Sequence, residues 1–164
     1  MVLDNQPVNT DLLIERRAAH HRRMDDTLRL LASRTLGHDE ALVSADDLSA
    51  WSIERGETVV DFLDHFGAEI AKSYHVGELS YAFCDSIVND LWGLLLQQTV
   101  DDSAASWPHT FYRVYDAFDA GEYNRRADGT DDPVAEFTDP AIEEIVAMLR
   151  RQELESGKNV ASDG

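Results

Sequence analysis

Apolar side chains recur every three or four residues along most of this 164-residue chain, and that period leaves little besides helices to build with. Between residues 57 and 76, Val59, Phe62, Leu63, Phe66, Ile70 and Tyr74 fall on one helical face, with Glu57, Asp61, Asp64 and Lys72 opposite. Strict alternation of apolar and polar residues is nearly absent, so a sheet has no support. The expected fold is an all-α, single-domain helical bundle of about five to six helices over residues 1–155, with a flexible tail at 156–164.

Caps and breakers place the boundaries. A first helix is expected from Asn9 or Thr10 to about Thr35, stopped by Gly37. A short second helix follows Ser44, whose next residues Ala45, Asp46 and Asp47 put acid in the first turn, and Gly56 closes it. The third runs from about Glu57 to Val76, before Gly77. Ser80 caps a fourth, about Tyr81 to Gln98, whose wide apolar arc of Cys84, Ile87, Val88, Leu91, Trp92, Leu94 and Leu95 marks it as the expected centre of the bundle. Ala82, Ser86, Asn89 and Gly93 line its narrower side, a stripe suited to close helix packing or to pairing as a homodimer. Pro108 opens a fifth helix that ends at Gly121, with Phe111, Val114, Tyr115 and Phe118 as its core face. Residues 122–137 read as a loop, and Thr138-Asp139-Pro140 opens a sixth helix that buries Ile142, Ile145, Val146 and Leu149.

Charge narrows the partners. The formal charge is −18, and residues 37–122 hold seventeen acidic side chains against three basic ones, whereas the first 36 residues sit near +1. Such a body repels nucleic acid and anionic membranes and attracts a basic protein. The longest apolar run, Leu94-Leu95-Leu96, is far too short to span a bilayer, Cys84 is the only cysteine, and the chain opens with no basic stretch followed by an apolar one. A soluble cytoplasmic protein with a basic protein partner, and with no nucleic-acid or membrane partner, is the expectation. Twelve Arg against two Lys, and twenty Asp against twelve Glu, also fit a salt-adapted source, in which the acidity is background and the chain is a structural or oligomeric subunit.

On the first helix, Arg17, His20 and His21 share a face with Leu13, Met24, Leu28 and Leu31. A buried arginine requires an acid, since an unpaired interior charge is costly, and Asp85 at the edge of the fourth helix's apolar arc is the expected partner in a structural ion pair with Arg17 and His20. The run Arg16-Arg17-Ala18-Ala19-His20-His21 resembles the Arg-x4-His motif of HEPN-type helical ribonucleases, a resemblance that implies proton transfer by the histidine and phosphate binding by the arginine. It departs from that pattern in having Arg17 where a polar residue usually follows, and in lying in the opening helix rather than toward the end of the domain.

No metal or cofactor is expected. No glutamate has a histidine three residues later, Gly56 interrupts Glu54 and Glu57, and Pro133 occupies the place where a calcium loop counted from Asp128 needs glycine. No histidine lies near Cys84 in sequence to activate it as a nucleophile.

The string Tyr115-Asp116-Ala117-Phe118-Asp119-Ala120-Gly121-Glu122-Tyr123, with Asp132-Pro133 and Phe137-Thr138-Asp139-Pro140 after it, resembles the closing part of small acidic bacterial all-α proteins, and the chain is similar in kind to bacterial toxin-immunity proteins. The function this implies is neutralisation of a basic, nuclease-like partner. The expected contact residues are Glu57, Asp61 and Asp64 on the third helix and Asp116, Asp119 and Glu122 at the end of the fifth, with Trp107 and Tyr112 as aromatic anchors.

Overall fold

The structure is a computed structural model that describes residues 15, 18–19, 26–34, 40–99 and 106–161, and among these every regular element is a helix. Contacts divide the chain into two compact units, Met1–Arg34 and Thr35–Gly164. In the first unit residues 26–32 are helical (α1), with Thr27, Leu28 and Leu31 buried and Arg29 paired to Asp26 at 3.5 Å on the outside. Arg16, Arg17, His20 and His21 lie outside the described residues.

The second unit is a bundle whose elements start and stop where local chemistry directs. Helix α2 (Ala45–Arg55) begins with a reciprocal cap, in which Asp47 N–H donates to Ser44 Oγ and Ser44 N–H donates to Asp47 Oδ2. It ends at Gly56, whose φ of 64° is left-handed, so that Gly56 N–H reaches Ile53 O and Glu57 N–H reaches Ser52 O. Helix α3 (Val59–His75) takes Thr58 as its cap and closes in the same way at Gly77. Helix α4 (Tyr81–Thr99) begins after Ser80, whose hydroxyl accepts from Phe83 N–H at 3.3 Å.

Helix α5 (His109–Asp119) follows Pro108, and Gly121 lies just past its end. That glycine is not a left-handed cap; it is needed for space. A Cβ there would collide with Thr138 Oγ1 and come within 2.9 Å of Tyr81 Cε2. Beyond it the chain turns around the buried Asp131, whose carboxylate accepts from Asn124 Nδ2 and from the backbone N–H groups of Arg125 and Arg126. These donors hold the Asp131 carboxyl below the usual carboxylate range, Arg125 N–H first among them. Arg125 also lays its guanidinium 3.7 Å from the Phe137 ring centre and donates to Ala120 O at the end of α5.

A π-helical turn (Val134–Thr138) then leads into helix α6 (Asp139–Ala161). Asp139 N–H donates to Val134 O, five residues back. Pro140 explains the widening, because in a regular turn its ring would press on the carbonyl of Glu136 and leave it unpaired. The helical path therefore begins earlier than the expected start at Thr138. It also runs on to Ala161, through the first part of the segment expected as a tail. Gly157 does not stop it: a glycine inside a helix costs about 1 kcal/mol relative to alanine, which the hydrogen bonds on either side sustain.

Helix α3 is the centre of the bundle and touches α2, α4, α5 and α6. The expected centre was α4, on the width of its apolar arc; in the structure Trp92 and Leu94 are only half-buried, and the outermost part of that arc meets a surface layer instead of a core. The core is Phe62, Leu63, Phe66 and Ile70 from α3, Cys84, Ile87, Val88 and Leu91 from α4, Phe111, Val114 and Phe118 from α5, and Ile142, Ile145 and Val146 from α6. Each fully buried phenylalanine or leucine contributes about 2–3 kcal/mol relative to exposure. Gly67 lets α3 and α5 approach closely, since a Cβ there would lie 3.0 Å from Phe111 Cα. Gly93 in the small-residue stripe of α4 does no such work: a Cβ there would meet nothing within 4 Å. Tyr74 O–H to Asp139 Oδ1 (2.6 Å) and Lys72 Nζ to Glu153 Oε1 (2.7 Å) tie α3 to α6.

Candidate partner-binding face

The acids expected to meet a partner divide into two groups with different surroundings. On α3, Asp61 belongs to the helix start: its N–H donates to Thr58 Oγ1 and its Oδ2 accepts from the Thr58 hydroxyl at 2.7 Å. Glu57 Oε1 lies 2.7 Å from His65 Nδ1. Asp64 has the most consequential position. Helix α5 begins at a proline that offers no side-chain cap, which leaves the first N–H groups of the helix to find acceptors elsewhere. Asp64 Oδ1, from the neighbouring helix, accepts from Phe111 N–H at 3.0 Å and supplies the missing cap.

The second group lies where α4 and α5 pack. Trp92, on α4, is the hub of four rings. Tyr115 stacks on it with centroids 4.5 Å apart and planes 13° from parallel, Trp107 meets it edge-on at 5.9 Å, and Tyr112 leans on it at 5.6 Å and on Trp107 at 5.9 Å. Tyr112 and Tyr115 are three residues apart on α5, so both reach the same groove beside α4. The rings are not sealed in: Trp92, Trp107 and Tyr115 are half-buried and Tyr112 is 40% exposed.

Tyr115 connects this aromatic patch to a corner of carboxylates. Its hydroxyl donates to Asp119 Oδ1 at 3.4 Å, and beyond it Asn89 Nδ2 donates both to Asp85 Oδ1 (3.3 Å) and to Glu122 Oε1 (2.9 Å). Burial, reinforced by the charge and hydrogen bond of Glu122 and by the charge of Asp119, pushes the Asp85 carboxyl up to about 6, with Asn89 opposing weakly. The phenols around the corner feel the same field. Tyr81 and Tyr115 are raised by burial and then by these carboxylates, and the exposed Tyr123 is raised chiefly by its hydrogen bond to Glu122. Among the described residues Asp85 therefore faces acids, where an arginine was expected. Arg17 and His20, the other members of that expected ion pair, are outside the described residues.

Sequence reasoning named Trp107, Tyr112, Asp119 and Glu122, and these lie on one continuous face. Asp116 is exposed on the same helix. Trp92, Tyr115 and Asp85 join this candidate face as well, although their sequence positions place the first two in apolar arcs and the third in an expected ion pair. The signal that could have found them is the Trp/Tyr content at the polar margins of two facing helices.

The three arginines on α5 and just after it are engaged elsewhere. Arg113 lies 3.5 Å from Glu144 and donates to the Met148 sulfur on α6, Arg125 is folded onto Phe137, and Arg126 lies 3.5 Å from Glu136. A shallow groove of about 410 Å³ is lined by residues that include Tyr74, His75, Leu79, Asp139 and Glu143. Among the described residues no group of three His, Cys, Asp or Glu side chains is arranged to hold a metal ion, and no helix is long and apolar enough to cross a membrane. Cys84 is buried, and burial pushes its thiol up to about 12, which leaves it a core side chain and a poor nucleophile. No protein-family model, curated protein or solved structure matches this chain.

Proposed function

We propose that this protein is an acidic binding module that captures a basic protein, in the manner of an immunity or antitoxin protein neutralising its cognate partner. The observation that carries the reading is the corner formed by Asp85, Asp119 and Glu122. Three carboxylates share one site with no salt bridge to any of them among the described residues, and burial first, then repulsion from Glu122 and Asp119, raises the Asp85 carboxyl to about 6. A cationic partner group placed there would relieve that repulsion. The wider charge supports it: residues 35–164 carry 27 acidic side chains against eight basic, and Lys72, Arg113 and Arg126 among the eight already sit in internal ion pairs. Such a field speeds encounter with a basic protein and makes association sensitive to salt within a Debye length of about 8–10 Å.

The test is capture of proteins from source lysate on the immobilised chain at low and high salt, beside an Asp119→Lys/Glu122→Lys variant. A basic protein retained at low salt, released at high salt and lost from the variant is the expected result. A captured protein that the variant holds equally well, or no basic protein at all, overturns the reading.

A further inference from the structure

We propose that the aromatic face of α4 and α5 is the docking surface for an arginine-bearing segment of the basic partner, with a guanidinium lying against the Trp92, Tyr112 and Tyr115 rings and its N–H groups directed to Asp119 and Glu122. This rests on the reading of the chain as a module for basic proteins, and it adds where the partner sits and which cation it must present.

Three observations lead there. The first is continuity: Tyr115 stacks on Trp92 at 4.5 Å and donates to Asp119 at 3.4 Å, so ring faces and carboxylates belong to one surface. From Tyr112 to Asp119 is seven residues of helix, about 10 Å at 1.5 Å per residue, which matches an arginine and its immediate neighbours. The second is charge complementarity. The acids stand at one end of the patch, and Arg113 and Arg125, the arginines close by in sequence, are engaged on α6 and Phe137. The third is the chemistry of the pairing. A guanidinium is planar, stacks on aromatic faces and forks onto carboxylates, whereas an ammonium presents a compact hydrated charge that does neither well. The fold already uses this contact twice, with Arg125 over Phe137 at 3.7 Å and Arg55 over Phe62 at 4.9 Å.

The experiment titrates the full chain with capped hexa-arginine and hexa-lysine peptides at fixed low ionic strength, followed by calorimetry and tryptophan fluorescence. Trp92 and Trp107 lie on the face, while Trp51 is packed against Phe62 and Phe66 and serves as a constant background. Hexa-arginine should bind about three- to tenfold tighter than hexa-lysine and perturb the emission, in line with the strength of a cation–π contact. Tyr112→Ala should bring the two peptides level, and Tyr112→Phe, which keeps the ring, should preserve the preference. Asp119→Asn/Glu122→Gln should weaken both peptides. Circular dichroism verifies that each variant retains its helices. Equal binding of the two peptides, or an arginine preference that survives Tyr112→Ala, overturns the docking surface and leaves the acidic module standing. If neither peptide binds the unaltered chain, the module itself falls, and the docking surface with it.

Discussion

The acids of α3 and those at the end of α5 look alike in the sequence and differ in the fold. Asp61 and Asp64 are both committed to helix starts: Asp61 donates its N–H to the Thr58 cap and accepts from the Thr58 hydroxyl on its own helix, and Asp64 accepts from Phe111 N–H on its neighbour. Asp85, Asp119 and Glu122 gather around one asparagine and three phenols, and burial, reinforced by Glu122 and Asp119, raises the Asp85 carboxyl to about 6. The first set stabilises the bundle; the second costs it stability. A count of acidic residues therefore treats as equal carboxylates that are committed to helix starts on α3 and carboxylates that crowd one another at the α4–α5 corner.

The largest effect should come from breaking the corner's support. Gly121→Ala drives a Cβ into the fully buried Thr138 Oγ1 and against Tyr81, whose hydroxyl is committed to Phe118 O at 2.8 Å, so the new methyl has no open space to enter. A loss of about 3 kcal/mol is expected in urea or thermal unfolding, as for overpacking of a tight site. Next is Asp64→Ala, which leaves Phe111 N–H without its acceptor and should cost about 1–2 kcal/mol, the usual worth of a helix cap. Amide exchange in the first turn of α5 should accelerate in that variant while the corner keeps its pH dependence.

Asp85→Asn should act in the opposite direction. The folded pKa is raised from 3.8 to about 6, so the native state binds the proton more tightly than the unfolded chain does. The penalty is absent below about pH 4, grows as the pH rises through 6 and is complete above about 7. Because the group is half-exposed and screened by solvent, about 1 kcal/mol is expected instead of the full value of the shift. The unaltered protein should thus gain stability from pH 7.5 to pH 5, and Asp85→Asn should be more stable at pH 7.5 and flatten that profile. A profile unchanged by the substitution would remove the corner from the comparison. The smallest effect belongs to Asp116→Lys, on the exposed side of α5, which should change stability by less than about 0.5 kcal/mol.

Elements were legible wherever the signal was local. Ser44 and Ser80 start helices, and Gly56 and Gly77 end them, because a hydroxyl acceptor and a left-handed glycine act within a few residues of themselves; Thr58, which caps α3, lies one residue past the expected start at Glu57. Gly121 was read by the same rule and serves a different purpose, since its requirement comes from Thr138 and Tyr81, far away in sequence. The site was half legible. Trp107 and Tyr112 stood out as aromatics near acids, but Trp92 and Tyr115 share the period of the core, and periodicity gives a face without saying how deep that face lies.

The sequence by itself determined that the chain is helical, where its capped helices start and stop, and that its charge is negative, because periodicity, capping and composition depend on neighbours along the chain. Only the tertiary structure decided that α3 and not α4 is central, that Asp64 caps a helix other than its own, and that Asp85, Asp119 and Glu122 converge beside a cluster of four rings. Those outcomes depend on which helix faces meet, and a residue's electrostatic role is set by the groups brought within a few ångströms of it, wherever they stand in the sequence.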